Sequence, residues 1–131
     1  MKPDFSGEWV LDRQASNLSG GAAAMESGVM SIDHRDPKCG FRMDMSAGGP
    51  PIQHAWEISA DGTEVAGGGG VHRLFWEGDT LVFDSRFQTP PEPWTMSWRY
   101  ELLEEGRRLR AVEQIRGSGR DQDNTWIFDR R

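Results

Sequence analysis

The sequence predicts an all-β protein: a single antiparallel up-and-down β-barrel of eight to ten strands, with at most a short helix after the first strand. Three observations predict it. Apolar and polar residues alternate along most of the chain, the period of strands with one buried face. Sixteen glycines and seven prolines cut that alternation into short segments, as turns do in all-β domains. Folding the segments at their turns brings apolar residues together on one face and opposite charges together on the other.

Ten segments follow, at residues 5–12, 28–35, 40–47, 52–59, 63–66, 71–77, 80–87, 93–103, 108–116 and 124–130. The one helical signal is Asp12-Arg13-Gln14-Ala15-Ser16, at the start of the 13–27 link. Asp36-Pro37-Lys38-Cys39 reads as a type I turn, with Cys39 as a turn residue. Folding there pairs Ile32 with Met43 and Met30 with Met45, and sets Asp33 opposite Arg42. Folding at Gly78-Asp79 pairs Trp76 with Leu81 and Leu74 with Phe83, with Arg73 opposite Asp84. Folding around Glu105-Gly106 pairs Leu102 with Leu109 and Trp98 with Glu113, with Glu101 opposite Arg110. Folding at 67–70 pairs Val65 with His72 and sets Glu64 opposite Arg73. Each exposed charge pair contributes at most about 1 kcal/mol; its use here is to fix register.

The chain has 131 residues, enough for one core, so 1–131 reads as one domain. Its net charge is −6. A non-specific nucleic-acid binder needs a basic footprint, so nucleic acid is excluded as a partner. No apolar run reaches the roughly 18 residues of a membrane-spanning helix. The lone Cys39 cannot form an internal disulfide. With no apolar leader at the N-terminus, this fits a reducing, cytoplasmic location, with an exported form lacking its leader as the alternative. The oligomeric state is not legible.

Up-and-down connectivity sorts the links. Those at 36–39, 61–62, 78–79 and 104–107 are tight and share one end. Those at 13–27, 48–51, 67–70, 88–92 and 117–123 share the other, and most are longer. A barrel closed at one end and rimmed by loops at the other is a cup for a small molecule. The 13–27 link, rich in glycine and alanine, is a candidate lid.

Phe5-Ser6-Gly7-Glu8-Trp9-Val10-Leu11 resembles the Gly-x-Trp opening of lipocalins and fatty-acid-binding proteins, together the calycins. With Asp12 it is closer to bacterial lipocalin-like proteins that open Phe-Ser-Gly-x-Trp-x-Leu-Asp. The length and strand count resemble the intracellular lipid-binding proteins. The resemblance implies that Trp9 packs at the closed end beneath a basic residue of the last strand, a part Arg130 can take. Such a cation–π contact is worth about 0.5–2 kcal/mol. Two departures stand out. The 13–27 link is too short for the helix–turn–helix of fatty-acid-binding proteins. Their Arg-x-Tyr carboxylate anchor on the last strand is replaced by Trp126-Ile127-Phe128.

Parity assigns the interior. The candidate ligand-binding residues are Met30, Met45, His54, Trp56, His72, Phe83, Met96, Trp98, Tyr100, Glu113 and Trp126. Methionine and tryptophan make a polarizable wall suited to a flat or apolar guest, although small barrels also fill themselves with such side chains. Glu113 faces inward opposite Trp98. A buried carboxylate must be protonated or bonded, so it reads either as an anchor for a ligand amine, hydroxyl or amide, or as a structural group bonded to Tyr100 or water. His34 and His54 lie about four residues apart along the strands. At roughly 3.3 Å per residue that exceeds metal-ligand spacing, and no Cys-x-x-Cys or His-Glu-x-x-His occurs. No metal or cofactor and no catalytic residue is assigned. The expected function is non-catalytic binding of a small hydrophobic or aromatic molecule. The alternatives are an enzyme using a buried Glu, His or Tyr, and a filled barrel that docks a protein through an apolar patch at Pro90–Trp94.

Overall fold

The structure, a computed structural model, describes residues 3–88 and 92–131. Its strands are Gly7–Leu11 (β1), Ser27–Arg35 (β2), Lys38–Ser46 (β3), Ile52–Ser59 (β4), Val65–Gly67 (β5), Gly70–Glu77 (β6), Thr80–Phe87 (β7), Trp94–Leu103 (β8), Arg108–Arg116 (β9) and Gln122–Arg130 (β10). All pair antiparallel in the order β4-β3-β2-β1-β10-β9-β8-β7-β6-β5. The β1–β10 pairing, with Trp9 opposite Arg130, rolls the meander into a barrel. The barrel is nearly closed, because β4 and β5 end the sheet without hydrogen-bonding to each other. The expected all-β up-and-down barrel is therefore observed. Among the described residues, no helix is long and apolar enough to cross a membrane.

Three of the four hairpin registers stand as expected. Leu74 faces Phe83, Trp98 faces Glu113 and Val65 faces His72. Arg73 binds Asp84 and Arg110 binds Glu101, each at 3.3 or 3.2 Å. Glu64 departs from expectation: it lies just before β5 and pairs with Arg86 rather than Arg73.

The β2–β3 hairpin slips by two residues. Its link is only 36–37, so Ile32 faces Phe41, Met30 faces Met43 and Asp33 faces Gly40. Arg42 lies opposite Ser31, and Asp33 instead meets Arg35 on the surface. A two-residue slip keeps every side chain on its face, so parity cannot tell the two registers apart. Packing decides it: Cys39 leaves the turn for a fully buried position opposite His34 and Ile58.

The helix expected at Asp12 is one turn. Ser16 N donates to Asp12 O (3.1 Å) and Ala15 N to Asp12 Oδ1 (3.1 Å). The link's helical segment is a short 3-10 turn at Gly20–Ala24. The link is strapped down along its length. Asn17 bridges Thr125, and Arg13 donates from Nε to Met25 O and from its guanidinium to Ala23 O. Leu18 is buried in the core.

The closed end is an aromatic plug. Phe5 and Trp9 are fully buried. Phe5, His34 and Trp76 sit with ring centroids 5.7–6.0 Å apart. Phe5 N donates to His34 Nδ1 (3.2 Å), so the ring proton lies on Nε2, which donates to Asp36 Oδ1 (3.3 Å). Trp9 Nε1 donates to Phe5 O (2.9 Å), and the Arg130 guanidinium lies 4.3 Å from the Trp9 ring centroid. The contact implied by the Gly-x-Trp opening is therefore present. Arg130 also donates to Ser6 O (2.6 Å) and Gly106 O (2.9 Å), joining three segments at this end.

Burial pushes the Cys39 thiol up to about 12, and the nearby Asp36 adds to the shift. A thiol so held makes little thiolate at neutral pH. Native protein at pH 8 is expected to resist iodoacetamide, with stoichiometric alkylation after denaturation. Rapid labelling of the folded chain, followed by mass spectrometry, would contradict the buried placement.

Candidate functional site

A cavity of about 540 Å³ occupies the barrel interior above the plug. That lies inside the roughly 300–1,000 Å³ range of small-molecule sites. Of the residues expected to bind a ligand, Met30, His54, Trp56 and His72 line it, as do Phe83, Met96, Trp98 and Tyr100. Parity brings them together: each occupies the inward phase of its strand, and neighbouring strands align them in rungs. Phe83 lies between Leu74 and Trp98; Tyr100 lies between Leu81 and Ala111.

The walls are aromatic. Trp56 stacks on Phe41 with ring centroids 4.9 Å apart, His72 stacks on Phe83 at 5.8 Å, and Trp98 lies parallel to Tyr100 at 6.1 Å. Burial raises the Tyr100 phenol well above its ordinary range, so the floor of the cavity carries a neutral hydroxyl.

Met45, Glu113 and Trp126 stand outside the lining. Met45 is buried over Gly28, where an added Cβ would collide with its sulfur. Glu113 is buried, but Asn124 Nδ2 (2.9 Å) and Trp126 Nε1 (3.1 Å) both donate to its Oε1. These partners differ from the Tyr100 or water that sequence reasoning offered. Asn124 Oδ1 in turn accepts from Ser19 N (2.6 Å) and Ser19 Oγ (3.2 Å). The Glu113–Asn124 network thus fastens the 12–26 link to β10. Asn124 was not singled out because a strand asparagine carries no motif; its even-numbered inward position was the available signal.

Among the described residues, none of the 12–26 link lines the cavity. The expected lid instead covers the β1–β10 wall. The cavity opens at the seam, where His54 and Glu57 of β4 face Val65, Ala66 and Gly67 of β5 across an unpaired gap; all five are exposed. The seam has a local cause. The 60–64 link is held towards other strands, with Ala60 N bonded to Pro37 O (2.6 Å) and Gly62 N to Leu74 O (2.9 Å). β5 then runs for only three residues before the Gly68-Gly69 turn. Both turn residues have positive φ, +58° and +81°, which a tight hairpin of this hand requires and glycine supplies without strain.

The histidines do not meet. His34 belongs to the plug, His54 aligns with Met43 at the seam, and His72 faces Ser85 across β6–β7. Ser85 is one of several lining residues outside the candidate set read from the sequence. The Gly78-Asp79 register already placed it inward and opposite His72. Trp94, at the described edge of the proposed Pro90–Trp94 patch, stacks on Phe87 at 4.1 Å under the Arg120 guanidinium. The rest of that patch falls partly outside the described residues.

No protein-family model matches the chain, and no curated protein matches it in sequence. Solved structures do match in fold. Human cRBP IV aligns at TM-score 0.69 and 15% identity, covering 98% of this chain and 99% of that one. A REP1-NXSQ fatty acid transporter aligns at 0.67 and 14%, covering 98% and 96%. A mutant of the fluorescent protein UnaG aligns at 0.66 and 15%, covering 97% and 96%. The fold is that of the fatty-acid-binding-protein-like calycins.

Proposed function

We propose that this calycin-fold barrel binds a small hydrophobic or aromatic molecule in its interior and carries it without chemical change. One observation carries the reading: an aromatic-walled cavity of about 540 Å³ that is plugged at one end and open at the β4–β5 seam. A barrel that served only to display loops would gain stability by filling that space, since unfilled volume forfeits packing. The cRBP IV and fatty acid transporter structures support the reading by fold alone. The Phe5–Asp12 opening supports placing the chain among the bacterial lipocalin-like proteins, and the lone thiol supports a cytoplasmic site of action.

Titration with 1-anilinonaphthalene-8-sulfonate and a panel of lipophiles tests the proposal through tryptophan emission, because Trp56 and Trp98 line the cavity. Saturable quenching at one equivalent is expected. Replacing Met96 with tryptophan is expected to weaken binding at least tenfold by occupying the cavity. Absence of saturable change across the panel, with no bound mass in native mass spectrometry, would overturn the carrier reading.

A further inference from the structure

Besides the Tyr100 hydroxyl and the exposed His54 and Glu57, the cavity wall carries a hydrogen-bonded serine–histidine pair. Ser85 is 1 % exposed, and its Oγ lies 2.6 Å from His72 Nδ1. His72 Nε2 lies 2.8 Å from Gly67 O. A carbonyl oxygen only accepts, so the proton of the neutral ring is on Nε2. Nδ1 is then an acceptor, and the Ser85 hydroxyl hydrogen is committed to it. Ser85 Oγ makes no other hydrogen bond among the described residues, and its strand neighbours at this rung are His72 and Met96. What it offers the cavity is lone pairs alone.

We infer that Ser85, oriented by His72, is a polar anchor of this cavity and selects apolar molecules bearing one hydrogen-bond donor, a hydroxyl or N–H. The inference rests on the carrier reading and names its ligand class. The imidazole is held in place by stacking on Phe83 at 5.8 Å, by the edge contact with Phe87 at 5.7 Å and by the Gly67 carbonyl. Gly70 permits the Phe87 contact, because a Cβ there would fall 2.7 Å from the Phe87 ring. A ligand donor that reaches Ser85 gains an acceptor whose own hydrogen is already committed, which the aromatic and methionine side chains around it do not offer. A ligand presenting only an acceptor at this point meets a lone pair and is disfavoured.

Isothermal titration at pH 8, where imidazole is neutral, with 2-naphthalenemethanol, its methyl ether and 2-methylnaphthalene tests this. The readout is the ratio of alcohol to ether affinity, compared across variants as a thermodynamic cycle. The ratio is expected to fall about five- to tenfold in Ser85→Ala. In His72→Phe the serine hydrogen is released towards the cavity, so the preference is expected to move towards the ether. Thermal unfolding establishes that each variant is folded, and if one is not, the other decides. A ratio unchanged in the folded variants overturns the anchor and leaves the carrier reading standing. Failure of wild-type protein to bind all three compounds and 1-anilinonaphthalene-8-sulfonate overturns the carrier reading itself, and the anchor with it.

Discussion

A Trp9→Ala variant is expected to lose about 3–5 kcal/mol of stability, the cost of emptying a large fully buried aromatic site. Trp9 is fully buried, donates to Phe5 O and carries Arg130 on its outer face. Removing it opens the plug and strips Arg130 of its ring. A domain of this size has a net stability of roughly 5–15 kcal/mol, so the loss is a large part of the whole. Urea unfolding followed by circular dichroism measures it. Arg130→Ala is expected to cost less, about 1–3 kcal/mol, because the cation–π contact and two hydrogen bonds to carbonyls are partly exposed. A Trp9→Ala midpoint within experimental error of wild type would show that the plug does not hold the barrel together.

Asn124→Asp is expected to be the most damaging single change near Glu113. It replaces the Nδ2 donor, 2.9 Å from Glu113 Oε1, with a carboxylate oxygen. Two buried carboxylates this close cannot both ionise, so the pair holds a proton that the unfolded chain releases above about pH 4.3. The folded-state pKa is raised; stability is therefore lost as pH rises and recovered as it falls. At pH 7 the cost is expected to be about 3–5 kcal/mol, shrinking as pH falls towards 5. Asn124→Ala, which orphans polar groups without adding charge, is expected to cost about 1–3 kcal/mol with little pH dependence over that range. Hydrogen exchange at Ser19, whose amide donates to Asn124 Oδ1, is expected to accelerate in both variants. Since no described residue of the 12–26 link lines the cavity, Asn124→Ala is expected to leave the affinity for 1-anilinonaphthalene-8-sulfonate within about twofold of wild type. A large loss of affinity would show that ligands enter beneath the link rather than through the seam.

Glu113 and Met45 show where one-dimensional reasoning stops. Their inward phase was legible, and both are buried. Phase says only which side of the sheet a side chain takes. Whether it meets empty space or another wall depends on the angle at which strands from opposite sides converge. Met45 fills the notch over Gly28, and Glu113 is taken up by Asn124 and Trp126. Eight other residues in the same phase reach the cavity.

The amino-acid order alone determined the barrel, because a period of two, punctuated by glycine and proline and locked by charge pairs across two hairpins, permits one face to be buried in only one phase. It also determined most of the aromatic wall. Only the tertiary structure decided the Asp36-Pro37 register, since slips of two residues are degenerate in phase and are separated by the burial of Cys39. It alone placed the opening at the β4–β5 seam rather than under the 12–26 link, because that depends on where the 60–64 link is tethered. It alone fixed the proton on His72 Nε2, because the hairpin register at 67–70 pairs residues without saying which backbone carbonyl a ring nitrogen reaches.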